Sequence, residues 1–512
     1  MSDEIELKLS LAPEAAPGVG RLREVRRRAQ GRARRRRLVS TYYDTADLAL
    51  REAGLALRVR RVGRARVLGV KAAGGSVGGL LVRREWEGPA GRGAPRVEDV
   101  ADPELRAALA RASAGAPLAP VFATEMTRTS RDVELGGGAR AVLECDVGAV
   151  RVGERREPFA ELELELVAGD PAALFDFARE LVAALPARLS VESKAARGFR
   201  LREGRLPQPV KAAPLALDER APAADALAAV LVHCLAHVLA NVAPVDANDD
   251  PEGVHQMRVA LRRLRSAFSL FRDVLPADDR ARFGGALREA ASDLGRARDA
   301  DVQRAEIVAP VAERLPGEVG LERLLAALDA EREAGRAAAR ERVRSAAFSD
   351  LLLELSAWTA RRGWRRVPAG EADELLALPV REFAAHVLER LHGKVLRRAR
   401  RFAELPTAER HRMRIDVKKL RYASEFFRSL FAGKRARAFA ERLEQLQEVL
   451  GYANDVAVAH ELVARTSAAA GDDADSVRGA ALVVGWHESA LAAEERRSVR
   501  RVARFVDARP YW

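Results

Sequence analysis

Glu161-Leu162-Glu163-Leu164-Glu165-Leu166 alternates acid with leucine, and Glu4-Ile5-Glu6-Leu7-Lys8-Leu9 repeats the pattern near the start of the chain. Side chains of a strand alternate faces, so Glu161, Glu163 and Glu165 project to one side, as do Glu4, Glu6 and Lys8. Neither face suits an oily core. Arg58 and Arg60 share a face of the run Gly54 to Val62, and Arg83, Glu85 and Glu87 share a face of Leu81 to Glu87. Lys71 and Arg128 fall in further predicted strands. One such strand alone is an ordinary solvated surface strand. Several together, with Leu or Val on their other faces, predict a sheet whose apolar side packs outward against helices and whose charged side encloses something. Closing that sheet gives a barrel with a polar lumen.

Period-two runs dominate as far as Gly204, Arg140 to Asp146 among them, with Gly-rich turns between. Helical stretches at Pro103 to Ala114 and Pro171 to Leu185 make the fold class α+β, an antiparallel β tunnel or barrel with flanking helices. Pro207, Pro209, Pro214 and Pro222 mark a linker, and from Ala223 onward the period is helical. The expected domains are residues 1–204, a Pro-rich linker at 205–221 and an all-α domain at 222–512. That last part repeats itself. His255-x-Met257-Arg258-x3-Arg262-Arg263-Leu264-Arg265 returns 156 residues later as His411-x-Met413-Arg414-x3-Lys418-Lys419-Leu420-Arg421. Leu294-Gly295-x2-Arg298-Asp299 returns at the same offset as Leu450-Gly451-x2-Asn454-Asp455. Two segments sharing one offset predict duplication of a unit of about four helices, spanning about residues 222–375 and 376–512.

The 512 residues exclude one small module, and 48% hydrophobic with only 5% aromatic content builds cores from Ala, Leu and Val. Lys plus Arg number 87 against 74 Asp plus Glu, a net +13, so partners carrying negative charge are expected: nucleic acid, anionic lipid or a phosphate compound. The two cysteines, Cys145 and Cys234, lie far apart and exclude a disulfide framework, which points to a reducing cytoplasm. The first residues lack the order of an export signal, and apolar runs fall short of the ~18 residues of a membrane span, so no membrane partner is expected.

Cations and carboxylates mixed in one lumen match the needs of a metal-phosphate substrate. Arg and Lys take phosphate oxygens, while carboxylates hold Mg²⁺ or Mn²⁺ with water completing the octahedron. A Walker P-loop and an activated cysteine are absent from the sequence. Tyr42 and Tyr43 read as core packing beside a turn, and Asp44 as either a turn cap or a functional group. The ten arginines from Arg21 to Arg37 read as a basic surface helix or loop.

Glu4-x-Glu6-x-Lys8, Thr41-Tyr42-Tyr43-Asp44-Thr45, Leu57-Arg58-x-Arg60, Arg84-Glu85-Trp86-Glu87, the Glu161–Leu166 alternation and Ser193-Lys194-x2-Arg197-Gly198 together resemble the CYTH superfamily, the triphosphate tunnel metalloenzymes. The likeness covers nearly all of residues 1–204. It implies a β tunnel that hydrolyses inorganic triphosphate with Mg²⁺ or Mn²⁺. By position it implies catalytic roles for Glu4, Glu6, Glu163 and Glu165, and metal ligation at Glu4, Glu6, Glu161, Glu163 and Glu165. Lys8, Arg58, Arg60, Lys71, Arg83, Arg128 and Lys194 would bind substrate; Glu144 and Asp146 carry less weight. Other readings are hydrolysis of thiamine or nucleoside triphosphate, cyclisation of ATP, or a non-catalytic polyphosphate scaffold.

In the helical half, His255, Arg258, Arg262 and Arg265 fall on one stripe, with Met257, Leu261, Leu264, Phe268 and Phe271 on another. The copy sets His411, Arg414, Lys418 and Arg421 beside Met413, Val417, Leu420 and Phe427, and a further basic row runs through Arg390, Lys394, Arg397 and Arg401. Few aromatics interleave these cations, which disfavours nucleic acid bound by base stacking and favours a polyanion without bases. These repeats resemble the CHAD domain over about residues 222–512. The resemblance implies inorganic polyphosphate, including polyphosphate granules, as partner, bound by His255, Arg258, Arg262, Arg265, Lys394, His411, Arg414, Lys418 and Arg421.

Overall fold

Acid-leucine alternation becomes a curled sheet in the computed structural model, which describes residues 4–366, 370–431, 433–470 and 473–512. The strands are β1 (Glu4–Leu11), β2 (Ala29–Asp44), β3 (Leu55–Val62), β4 (Ala65–Ala72), β5 (Gly75–Val77), β6 (Leu80–Arg83), β7 (Glu85–Pro89), β8 (Ala119–Glu134), β9 (Arg140–Val152), β10 (Arg155–Ala168) and β11 (Ala187–Ser190). They pair antiparallel in the order β5-β6-β1-β10-β9-β8-β2-β3-β4-β7, and β11 also pairs with β1. In the β1–β10 ladder Glu6 faces Glu165 and Lys8 faces Glu163. Residues opposite one another share a face. Their apolar neighbours Leu7, Leu9, Leu162 and Leu164 are fully buried on the other side.

β6 and β7 lie near opposite margins of that order, yet only Arg84 separates them in the chain. The sheet must therefore curl until its margins meet. Leu81 to Glu87, expected as one strand, is two for this reason: β6 pairs with β1, and β7 with β4. At the break Arg84 turns away to Asp102, 2.9 Å distant, the N-cap of helix Pro103–Ser113. Leu105 and Leu109 of that helix pack on Leu55, Leu57, Leu68 and Val70, so the apolar side of the sheet faces outward.

The floor of the lumen is apolar. Tyr42 stacks on Phe122 with ring centroids 4.5 Å apart, and Phe122 meets Phe199 edge-on at 5.0 Å. Helix Lys194–Glu203, which alternation alone did not reveal, closes over them, and each residue of its motif has a physical task. Ser193 Oγ accepts the Ala196 N–H, capping the helix. Arg197 pairs with Glu157 and Glu192. Gly198 is needed for contact, since a β-carbon there would lie 2.2 Å from the Phe122 ring.

By contact the chain forms two units. One is Met1–Val210 with Leu235–Asn248 and Val343–Gly363; the other is Lys211–Cys234 with Asp249–Arg342 and Trp364–Trp512. Two helical segments are thus built into the sheet unit, where Asp350 takes Arg179 at 2.7 Å and the Ser349 hydroxyl accepts the Leu189 N–H at 3.4 Å. Residues 205–218 carry neither helix nor strand. Helix Pro251–Leu270 recurs end to end at the 156-residue offset as Thr407–Phe426. The copies then diverge: Ala277–Asp293 is followed by a separate helix Gly295–Val302, whereas Lys434–Ala470 is unbroken. The side chains of Asn454 and Asp455 lie outside the described residues. Ala223–Ala247 is long and apolar enough to cross a membrane by length and composition alone, with 56% of its apolar window buried in the protein.

Two local expectations change. The arginines from Arg21 to Arg37 form the short helix Arg23–Arg28 and then the first half of β2, because main-chain pairing of Arg34 to Arg37 with β8 decides their conformation. Asp44 acts as a cap: wholly buried, its carboxylate accepts the N–H groups of Thr45 (2.7 Å), Leu50 (2.9 Å) and Arg51 (3.0 Å). Replacing Asp44 by Ala orphans those donors and is expected to lower stability by about 1–3 kcal/mol, read as a lower urea midpoint with unchanged m-value.

Candidate functional site

The lumen is a cavity of about 920 Å³ lined by Glu4, Glu6, Lys8, Tyr42, Arg58, Arg60, Lys71, Arg83, Glu85, Glu87, Arg128, Glu144, Glu163, Glu165 and Lys194. Of the tunnel residues named from the sequence, all but Glu161 and Asp146 reach it; Glu161, 2% exposed, and Asp146, wholly buried, do not line it. Their surroundings divide them into two groups.

In the first group acids and cations neutralise one another. Lys8 Nζ lies 2.8 Å from Glu163 and 3.5 Å from Glu161. Lys194 Nζ lies 2.7 Å from Asp146 and 3.0 Å from Glu163, and it also contacts Glu161. Arg128 forks onto Asp146 at 2.6 and 2.7 Å, reaches Glu163 at 2.8 Å and pairs with Glu144. Burial opposes ionisation of Glu163, but Lys194, Lys8 and Arg128 outweigh it and hold that carboxyl well below its ordinary range. Burial likewise opposes the charge on Lys194, which Asp146, Glu161 and Glu163 nevertheless hold well above its usual range. Asp146, Glu161 and Glu163 form the one trio among the described residues whose ligand atoms all lie within 4.8 Å of each other. The Lys194 ammonium already contacts all three, so the protein supplies its own cation there.

The second group has acid to spare. Glu6 faces Glu165 across the ladder, and like charges so placed repel. Glu4 and Glu85 share Lys71, at 2.6 and 2.8 Å, while Arg83 is 3.6 Å from Glu6. Burial, helped by a hydrogen bond with Glu85, pushes the Glu4 carboxyl up to about 8, so it holds a proton at neutral pH. Burial opposes ionisation of Glu85, but Lys71 and the Glu4 hydrogen bond hold it at about 2. Burial also raises Glu165, with Glu85 and Glu6 adding to the effect. Carboxylates crowded together are the hard oxygen donors that suit a divalent ion, and here Lys71 and Arg83 already stand beside Glu4, Glu85 and Glu6. Across the lumen Arg58 holds Glu85 at 3.0 Å and Glu87 at 2.9 Å, and Arg60 lies 3.5 Å from Glu87.

Sequence reasoning underweighted Glu144 and Asp146, the anchors of Arg128, although Glu144-x-Asp146 alternates like its neighbours and Glu144 faces Glu163. Glu85 and Glu87 entered only as parts of a motif.

In the helical unit the paired helices Pro251–Leu270 and Thr407–Phe426 gather a different cluster. Burial, then Arg414, Arg262, Arg421 and Arg258, push Lys418 down to about 7, so these cations stand near one another, with Arg421 paired to Glu425 at 2.6 Å and Arg258 to Asp299 at 3.3 Å. Arg262 donates to the Tyr422 hydroxyl, and the Arg421 guanidinium lies 4.7 Å from that ring centre. His255 is lowered by burial and by Arg298, a neighbour that the stripe did not include. Three residues stand apart: Arg265 has Arg288 as its charged neighbour, Lys394 is grouped with Arg272, Arg390 and Lys419, and His411 is exposed. Arg263 is buried off the stripe, 2.7 Å from Glu425.

Residues 2–199 match the CYTH domain family and residues 229–464 the CHAD domain family. The chain carries a CYTH domain followed by a CHAD domain. Over 202 residues it is 30% identical to the inorganic triphosphatase of Haemophilus influenzae, a match covering 39% of this chain and 55% of that protein. The chain thus spans about half the length of that curated relative. The crystal structure of the CHAD domain from the plant Ricinus communis is similar, with a TM-score of 0.50 and 32% identity over 59% of this chain and 98% of that one.

Lys194→Met leaves three buried carboxylates short of a cation and is expected to cost about 3–5 kcal/mol near neutral pH. Depressed carboxyls such as Asp146 and Glu163 stabilise the fold above their ordinary range and lose that contribution as pH falls through their folded values. The deficit of the variant therefore shrinks in acid, as denaturant unfolding at neutral and acidic pH will show.

Proposed function

We propose that the sheet unit hydrolyses inorganic triphosphate with the help of Mg²⁺ or Mn²⁺, and that the helical domain binds inorganic polyphosphate. One observation carries the first part: a single lumen gathers the carboxylates Glu4, Glu6, Glu85 and Glu165 together with cations that reach the same space, Lys71 and Arg58 touching those acids directly. The family and the triphosphatase relative support this reading. Glu4, Glu6 and Glu165 would hold the metal, which supplies charge neutralisation at the phosphoryl oxygens. Glu161 and Glu163 hold Lys8, Lys194 and Arg128 in place. Arg58, Arg60, Lys71, Arg83 and the exposed edges of Lys8, Arg128 and Lys194 bind phosphate oxygens. A carboxylate of the acid face orients the attacking water, because phosphoryl transfer asks the protein mainly for positioning and charge.

Phosphate release from tripolyphosphate, ATP and thiamine triphosphate, each with Mg²⁺ and Mn²⁺, tests the substrate; faster release from ATP overturns it. Glu6→Gln and Glu165→Gln are each expected to lower kcat/KM by at least about a hundredfold, the scale of a metal's charge stabilisation. Activity that survives both changes removes the metal-carboxylate mechanism.

For the helical domain the supporting observation is the cation cluster around Lys418. A polyanion there replaces repulsion by attraction and returns Lys418 to its protonated form. In the free protein the value depressed from 10.5 to about 7 means that stability is lost as pH falls from the ordinary lysine range to about 7, and a bound polyanion reverses that cost. Binding of polyphosphate at pH 8 is therefore expected to take up a proton. Calorimetry in buffers of different ionisation enthalpy measures the uptake, which Lys418→Gln should abolish.

A further inference from the structure

β2 outruns its neighbour: it pairs with β8 from Ala29, but with β3 only from Leu38. The stretch before Leu38 is an open sheet edge, and Arg32, Arg34, Arg35, Arg36 and Arg37 are all exposed on it. Arg36 faces Arg128 across the ladder and Arg34 faces Ser130, so both share the face that becomes the lumen wall. Arg128 is already committed to Asp146, Glu144 and Glu163, and Arg34 is paired with Asp132 at 2.9 Å. Arg32, Arg35, Arg36 and Arg37 make no ion pair among the described residues. Lumen-side residues recur every ~7 Å along a strand. Cations at that spacing on an extended edge match a linear anion with a charge on every repeat unit.

We propose that this arginine strand is a binding track for linear inorganic polyphosphate, holding the part of a chain that extends beyond the tunnel while its end occupies the lumen. The proposal rests on the triphosphatase reading and widens its ligand from a triphosphate to longer chains. Charged residues on an open edge also deter edge-to-edge pairing. That role alone predicts self-association when they are removed, with no dependence on the length of a phosphate chain.

The full chain is compared with Arg34→Gln/Arg36→Gln and, as a control for bulk charge, Arg23→Gln/Arg27→Gln. In the strand variant the inhibition constant of long-chain polyphosphate against tripolyphosphate hydrolysis is expected to rise about tenfold. In the same variant the KM for tripolyphosphate should change by less than about twofold, and the control should match the parent. Equal effects in both variants, no effect, or a parallel rise in the tripolyphosphate KM overturn the track. So does duplex DNA inhibiting as well as polyphosphate at equal phosphate concentration, which would make the strand a nucleic-acid surface. Hydrogen exchange gives a readout independent of turnover: long-chain polyphosphate, and not tripolyphosphate, is expected to protect the amides of Arg32 to Arg37. Loss of turnover with protection intact defeats the hydrolase reading alone; absence of protection defeats the track.

Discussion

Charge balance inside a closed space is the constraint on which the sheet unit depends. Curling the sheet puts more than a dozen ionisable groups into one cavity, where an unpaired charge costs far more than at a surface. The chain meets this locally: each of Lys8, Lys194 and Arg128 contacts two or more carboxylates. On the acid face Lys71 likewise contacts Glu4 and Glu85, but Glu6 has Arg83 no nearer than 3.6 Å, and Glu4 keeps its proton. Along β1 and β10 the stretch around Lys8 and Glu163 is thus matched with cations, while Glu6 and Glu165, one step along the same strands, face each other with less compensation, which a ligand can supply.

The same constraint explains which parts of the fold could be read in advance. Alternation of Glu with Leu fixes which side of β1 and β10 is wet, and for Glu4, Glu6, Lys8, Glu163 and Glu165 that sufficed to place them in the cavity. Alternation says nothing about where a sheet closes, so Leu81 to Glu87 read as one strand although Arg84 divides it between two partners. Nor does it say which carboxylates will be matched with cations; Glu161 and Glu165 look alike in sequence, yet Lys8 and Lys194 lie beside only the first. Ladder pairing also overrode composition in β2, where a run that reads as surface helix or loop became a strand edge.

In the helical half the duplication was legible to the residue, because two segments held one offset and the helices Pro251–Leu270 and Thr407–Phe426 obey it at both ends. The stripe found Arg258, Arg262, Arg414, Lys418 and Arg421 for the same reason. It could not find Arg298 or Tyr422, whose approach depends on packing between helices. Arg265 continues the helical spacing but has Arg288 as its charged neighbour.

The two cation-bearing surfaces solve different problems. Tunnel cations are already satisfied, so an anion entering there must offer something beyond negative charge. A phosphate chain carrying its own divalent counterion does, since the ion meets the acid face while the oxygens meet the arginines. The cluster around Lys418 differs: burial, with repulsion from the neighbouring arginines added, brings an amine down to about 7. Any dense anion relieves that repulsion, with or without metal, and the relief grows with the number of phosphates in reach. On the proposed function, selectivity for a metal-bound triphosphate in one surface and for length in the other would follow from how many carboxylates each places beside its cations.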